Sequence, residues 1–155
     1  MIEIKAPERP SENTQQGVKI FLAGSIEMGK AEKWQEALVK RFSDADIAFF
    51  NPRRTDWDSS WKQDPTPGTK FHEQVTWELD RIEDADVVVF YFDPKTQSPI
   101  TLMELGYVLG NGYQNLVVCC PDGYFRKGNV VITCAREGID VLNSFEELID
   151  AIKEY

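Results

Sequence analysis

Short apolar, β-rich runs alternate along the chain with stretches in which apolar side chains recur every three or four residues. Val18 to Ala23 (VKIFLA) is the first such run, closed by Gly24 and Ser25, and its β-branched and aromatic content predicts a strand. Ala31, Trp34, Leu38 and Phe42 then fall at helical spacing. Ile47 to Phe50 predicts a second strand, ended by Asn51-Pro52. A helix is expected from Lys70 to Asp84. Val87 to Phe92 (VVVFYF) follows and is apolar at every position, as in a strand covered on both faces. Ser98 followed by Pro99 reads as the N-cap and first-turn proline of a helix that reaches Leu109 and stops near Gly110 and Gly112. A strand over Leu116 to Cys120, a short helix over Asn129 to Arg136 and a strand over Ile139 to Leu142 come next. The last helix opens with a capping box, Ser144 with Glu147.

Strands alternating with helices predict an α/β domain, a five-stranded parallel sheet with helices on both faces. Met1 to Gly17 is polar, contains prolines, and is expected to be a loose leader, leaving residues 18–155 as a single domain. The loop from Arg53 to Gly68 (RRTDWDSSWKQDPTPG) is long for a compact domain, and such loops tend to carry function. Parallel sheets of this kind bind ligands outside the carboxyl ends of their strands. That rule gathers Gly24 to Gly29, Asn51 to Trp61, Asp93 to Ser98 and Pro121 to Asn129 around one mouth.

Composition narrows the function classes. The chain has 155 residues, with 26 Asp and Glu against 17 Lys and Arg, a formal net charge of −9. So acidic a surface disfavours nucleic-acid polymers and anionic membranes, and leaves small-molecule partners open. Cys119, Cys120 and Cys134 match neither a disulfide framework nor metal-ligand spacing, which fits a reduced, cytoplasmic compartment. No apolar run approaches the roughly 20 residues of a membrane helix, and the N-terminus has no signal-peptide character.

Two carboxylates stand where carboxylates are unusual. Between Lys95 and Asp122 the only charged residue is Glu104, in a chain that is 28% charged. Its helix also carries Ile100, Leu102, Met103, Leu105, Val108 and Leu109, so little of it is expected to be a solvated face. Glu78 shares the apolar stripe of the preceding helix with Phe71, Val75, Ile82 and Ala85. A pair of acids is the usual equipment for cleaving glycosidic bonds, one as nucleophile and one handling the proton. The alternative is that Glu104 projects to solvent beside Thr101 and Tyr107, and that Glu78 faces a neighbouring loop. Arg53 and Arg54, beside Trp57 and Trp61, read either as a clamp for a planar ligand or as loop anchors. Gly24 to Gly29 resembles a phosphate-cradling turn only in its placement, and Glu27 would repel a phosphate there. His72 has no triad companion and reads as a surface or capping residue.

Four segments together resemble the nucleoside 2-deoxyribosyltransferase family and its relatives that hydrolyse deoxynucleoside monophosphates. They are IFLAGSI at Ile20 to Ile26, WELDRIEDADVVVF at Trp77 to Phe90, MELGYVLGNG at Met103 to Gly112 and VVCCPDGYFRKGN at Val117 to Asn129. The resemblance implies a flavodoxin-like, Rossmann-like three-layer sandwich. It implies Glu104 as nucleophile and Glu78 as proton-handling acid, where the family usually has Asp. Ser98 takes the place of a polar residue contacting the sugar or its 5′ substituent, and Asn129 that of an Asn reaching into a neighbouring subunit's site. Phe21 stands near a family Tyr. Gly24, Ser25, Asn51, Arg53 and Trp57 complete the expected substrate-binding set, with Tyr107 as a candidate hydrogen-bond donor that keeps Glu104 anionic.

The resemblance also implies a cytoplasmic homo-oligomer acting on a small deoxynucleoside or deoxynucleotide and a nucleobase, without cofactor or metal. Two features bear on the substrate in opposite directions. Transferases usually carry Asp where Ser98 stands and the monophosphate hydrolases Ser, whereas those hydrolases carry Arg where Glu27 stands. The expected reaction is therefore transfer of deoxyribose between bases, with hydrolysis of monophosphates, or a non-catalytic nucleotide sensor, as alternatives. A receiver domain, which needs acids clustered after the first strand, fits less well.

Overall fold

The structure, a computed structural model, describes residues 1–11, 17–26, 31–58 and 60–155. Glu27 and the rest of the Gly24 to Gly29 turn after Ile26 lie outside the described residues. Six strands alternate with five helices among the described residues: β1 (Ile2–Lys5), β2 (Val18–Gly24), α1 (Trp34–Arg41), β3 (Ile47–Asn51), α2 (Lys70–Asp84), β4 (Val87–Tyr91), α3 (Pro99–Gly110), β5 (Leu116–Cys119), α4 (Lys127–Arg136), β6 (Val141–Leu142) and α5 (Phe145–Ile152). All strands are parallel, in the order β1-β3-β2-β4-β5-β6. The flavodoxin-like sheet is thus present with one strand more than expected.

The extra strand corrects the reading of the N-terminus as a loose leader. Ile2 to Lys5 pair with Ala48 to Asn51 at the sheet edge, and Ile4 is buried. The segment stays attached beyond the strand, where Trp77 Nε1 on α2 donates to the Glu8 carbonyl at 2.7 Å. Only a partner strand reveals such an element, because four residues with a single buried apolar position carry too little pattern to stand out.

The two faces of the sheet follow from strand alternation. Phe21, Ala23, Val88, Phe90 and Val118 pack with residues of α2, α3 and α4 on one face. Ile20, Leu22, Val87, Val89 and Val117 pack with α1 and α5 on the other. Full burial of a side chain such as Phe21 is worth about 2–3 kcal/mol. The three cysteines are free and buried. Half of the expected capping box forms as predicted, Ser144 Oγ accepting from Glu147 N at 3.2 Å, whereas the Glu147 carboxylate reaches one residue further back and accepts from Asn143 N at 2.7 Å instead of from Ser144 N.

β2 lies between β3 and β4, so strand order reverses there and a crevice opens beyond the carboxyl ends of β2 and β4. Gly24 ends β2 at this point, opposite Tyr91. A Cβ on Gly24 would overlap the Trp34 indole and stand 2.7 Å from the Tyr91 carbonyl oxygen. Only glycine lets the strand end this close to α1. Among the described residues, no helix is long and apolar enough to cross a membrane.

Candidate active site

Three hydroxyls meet at the crevice. Ser25, just after β2, is fully buried, and Thr96 and Ser98, from the β4–α3 connection, are nearly so. Ser25 Oγ and Ser98 Oγ are hydrogen-bonded. Thr96 Oγ1 lies 2.7 Å from Ser25 Oγ and 2.8 Å from Ser98 Oγ, and it also reaches the Asp93 carbonyl at 2.9 Å. Ser25 Oγ in addition accepts from Asp93 N at 3.0 Å. Ser98 occupies the N-cap position of α3 as expected, but in the left-handed region, φ 47°, with no side-chain cap bond. Its hydroxyl turns into the cluster, and that network offsets the cost of a non-glycine residue in this conformation.

The two singled-out carboxylates come together on the same side of the sheet. Glu104 faces inward from α3 and is 9% exposed, and Glu78 comes from the neighbouring α2. Burial pushes the Glu78 carboxyl up to about 7, against a smaller lowering by its hydrogen bond from Gln74. Glu104 is raised well above the ordinary carboxylate range, first by burial and then by the charge of Glu78. Neither has a cation bound to it among the described residues. Glu104 is buried and Glu78 partly so, and two enclosed acids under mutual repulsion resist ionising together, so the pair retains a proton that isolated carboxyls would have lost.

Tyr107 does not serve Glu104. Its hydroxyl donates to Glu83 Oε1 at 3.0 Å, because one turn along α3 carries it outward toward the end of α2. The rest of the α3 outer surface is the larger departure from expectation. Ile100 and Met103 are 54% and 63% exposed, and Gly106 and Gly110 are exposed with open space above their Cα atoms. The helix, charged only at the inward-facing Glu104, therefore has an outer face, and that face is apolar.

The other candidate residues are placed as follows. Phe21 is fully buried, its ring centroid 6.4 Å from that of Trp77. Asn51 is buried with both ends of its amide engaged: Nδ2 donates to Glu3 Oε1 at 2.7 Å and Oδ1 accepts from Arg53 N at 2.9 Å. The Arg53 guanidinium donates to the carbonyls of Glu32 and Ala31 at 3.0 and 3.1 Å, tying the long loop to the segment before α1. Trp57 packs on Trp61 at 5.0 Å. Trp61 in turn is covered by the Arg54 guanidinium at 5.0 Å and the Lys70 ammonium at 4.8 Å. Asn129 is exposed in the first turn of α4.

A family model described as nucleoside 2-deoxyribosyltransferase like matches residues 17–124, more than half of the chain. The chain belongs to this family. No curated protein matches it. Among solved structures it is similar to a conserved protein from Enterococcus faecalis V583, with a TM-score of 0.63 and 17% identity over 89% of this chain and 98% of that one. At that identity the likeness bears on the fold alone. Family membership implies small-molecule nucleoside and nucleobase substrates. The matched segment contains the hydroxyl cluster and both carboxylates, and it ends before Asn129 and α4.

Two participants carry no clear mark in the sequence: Thr96 completes the hydroxyl cluster and Gln74 holds Glu78. Of the two readings of Arg54, clamp or loop anchor, the structure shows the anchor, through Asp56 and Glu73. For Gln74 a signal existed, since it lies four residues before Glu78 and thus on the same helical face.

Proposed function

We propose that the protein cleaves the N-glycosidic bond of 2′-deoxynucleosides and passes the deoxyribose to another nucleobase. The observation that carries this reading is the pair of Glu78, partly buried, and Glu104, buried, brought together from the two helices α2 and α3 that pack against β2, with no cation on either among the described residues. A pair that keeps one proton at neutral pH supplies both an acid and an anion. In the resting pair the charge of Glu78 raises Glu104, so the reacting form is the one in which the shared proton has moved to Glu78. Glu104, then the anion, attacks C1′ while the bond from C1′ to the base nitrogen breaks, through an oxocarbenium-like transition state. Glu78 delivers its proton to the departing base. In the second half the incoming base loses a proton to Glu78 as its nitrogen takes the sugar from Glu104, restoring the enzyme with retained configuration.

A second reading, hydrolysis of deoxynucleoside 5′-monophosphates, is favoured by Ser98 and by the neutral hydroxyl cluster at the α3 N-terminus, where water replaces the acceptor base. Chromatography of deoxynucleosides and their monophosphates, each incubated with and without an acceptor base, distinguishes the two. Base exchange supports transfer, and base release that needs the 5′-phosphate supports hydrolysis. No release from any substrate sinks both and leaves a binding module.

The working form is a homo-oligomer. Its support is the apolar outer surface of α3 together with Phe125, Val131 and Ile132, which are 56%, 38% and 74% exposed in and before the adjacent α4. Association through this surface would let Asn129 reach a partner's site. Met103→Glu is expected to shift the sedimentation of the protein to the monomer and to lower activity with it.

A further inference from the structure

Gln74 is 5% exposed and lies one turn before Glu78 on α2. Its Nε2 donates to the Pro52 carbonyl at 2.9 Å and to Glu78 Oε1 at 2.8 Å. The Pro52 oxygen can only accept, so the amide nitrogen must face it, and the orientation of the amide follows from chemistry. Both N–H groups are thereby engaged. The other end of the amide, Oε1, is buried and receives no hydrogen bond. A buried acceptor without a donor is costly, and natural proteins retain few of them. This one lies a single amide's width from the nitrogen that grips the proton-handling carboxyl.

We propose that Gln74 reads the leaving base. Its Oε1 accepts an N–H from an exocyclic amino group, while the Glu78 carboxyl donates to the ring nitrogen beside that group. The inference rests on the N-glycosidic reading above and adds the class of base to it. The ligand is a base with an amidine edge, a ring nitrogen flanked by C–NH2, as N7 and the 6-amino group of adenine provide. An amide usually reads adenine with both of its ends, the oxygen accepting from the amino group and the nitrogen donating to the ring. Here the nitrogen is committed to Pro52 and Glu78, so the donor role passes to the carboxyl that Gln74 holds. Protonating the base and recognising it then become one event. A base with a carbonyl at that position sets an acceptor against Oε1, and hypoxanthine is such a base.

Deoxyadenosine and deoxyinosine differ at the 6-position and test this directly. The wild-type protein is expected to favour deoxyadenosine by about tenfold or more in kcat/KM, because a site built around a hydrogen bond discriminates strongly against a ligand that cannot make it. Gln74→Met, similar in size and unable to accept from the amine in that way, is expected to bring the ratio to within about twofold. A Gln74 that only braced Glu78 would lower both substrates alike and leave the ratio unchanged. Parity in the wild type, or a ratio that survives in Gln74→Met, overturns the proposal, and the wild-type arm decides even if the variant does not fold. Calorimetry with free adenine and free hypoxanthine separates this inference from the catalytic reading. Selective binding of adenine without turnover overturns the reaction and keeps the role of Gln74, whereas equal binding of the two bases overturns that role.

Discussion

Charge is buried in two regions along one edge of the sheet, and the surroundings differ in kind. Arg54 has a side chain only 3% exposed, yet it is held by Asp56 at 2.8 Å and Glu73 at 3.0 Å and lies against the Trp61 ring. Its charge is raised further into the protonated range by those hydrogen bonds. Glu78 and Glu104 have each other, one amide, and no cation among the described residues, so their carboxyls are pushed up instead. A buried charge that is paired holds structure in place, whereas a buried charge left with its own kind stores reactivity. The long loop is thus anchored by the first arrangement, and the second leaves the uncompensated acid pair on which the proposed reaction draws.

The sharpest way to break this contrast is Glu104→Gln. Base release is expected to fall at least a thousandfold, about 4 kcal/mol of barrier, with a melting temperature no lower than the parent's because a repulsive buried charge is gone. Retained activity would falsify the assignment of Glu104, and loss of folding would move the pair to the structural side of the contrast.

Next in size is the pH dependence of stability. Below the usual value of 4.5 both the native and unfolded states hold the Glu78 proton. Between 4.5 and about 7 the native state keeps a proton that the unfolded chain has released. Raising pH through that window therefore weakens the fold, by up to about 3 kcal/mol from this group, and above it the loss is constant. Urea unfolding at several pH values should show this decline, and Glu78→Gln should flatten its share of it. An identical slope in the variant would mean that the proton resides elsewhere.

Arg54→Met is expected to cost about 2 kcal/mol in chemical denaturation, since it leaves two half-exposed carboxylates facing each other and uncovers Trp61. The effect on the chemical step should be small by comparison. A change in activity without a change in stability would reverse the assignment of this region. The smallest effect is expected from Tyr107→Phe, whose hydroxyl serves Glu83 at the surface. Base release should stay within about twofold, as for other exposed polar contacts, and a larger drop would return Tyr107 to the site.

How far the residues reveal this arrangement varies from one to the next. Glu104 was legible because it is the lone charge in an apolar stretch, and Glu78 because it interrupts a stripe, since burial of a carboxyl leaves a mark in the pattern around it. Gln74 leaves a weaker mark, because an amide is at home on any helix and only the free Oε1 makes it unusual. Thr96 leaves none, because a threonine two residues before a serine in a loop means nothing until Ser25 arrives from another strand. β1 was invisible for the same reason, its edge pairing being supplied wholly by β3. The apolar outer face of α3 is legible as composition but reads as burial, because hydrophobicity alone does not distinguish a core from an exposed apolar surface.

Periodicity, strand content and turn residues along the chain were enough to specify the parallel α/β sheet, the helices that cover it and the two exceptional acids. These are local properties, set by hydrophobic spacing and backbone preference within a dozen or so residues. Tertiary structure alone decided that Ser25 meets Thr96 and Ser98, that Glu78 faces Glu104, that Arg54 is paired, and that one oxygen of Gln74 has no donor. Each depends on contacts between segments distant in the chain, and on the low dielectric that their packing creates, which no local pattern contains.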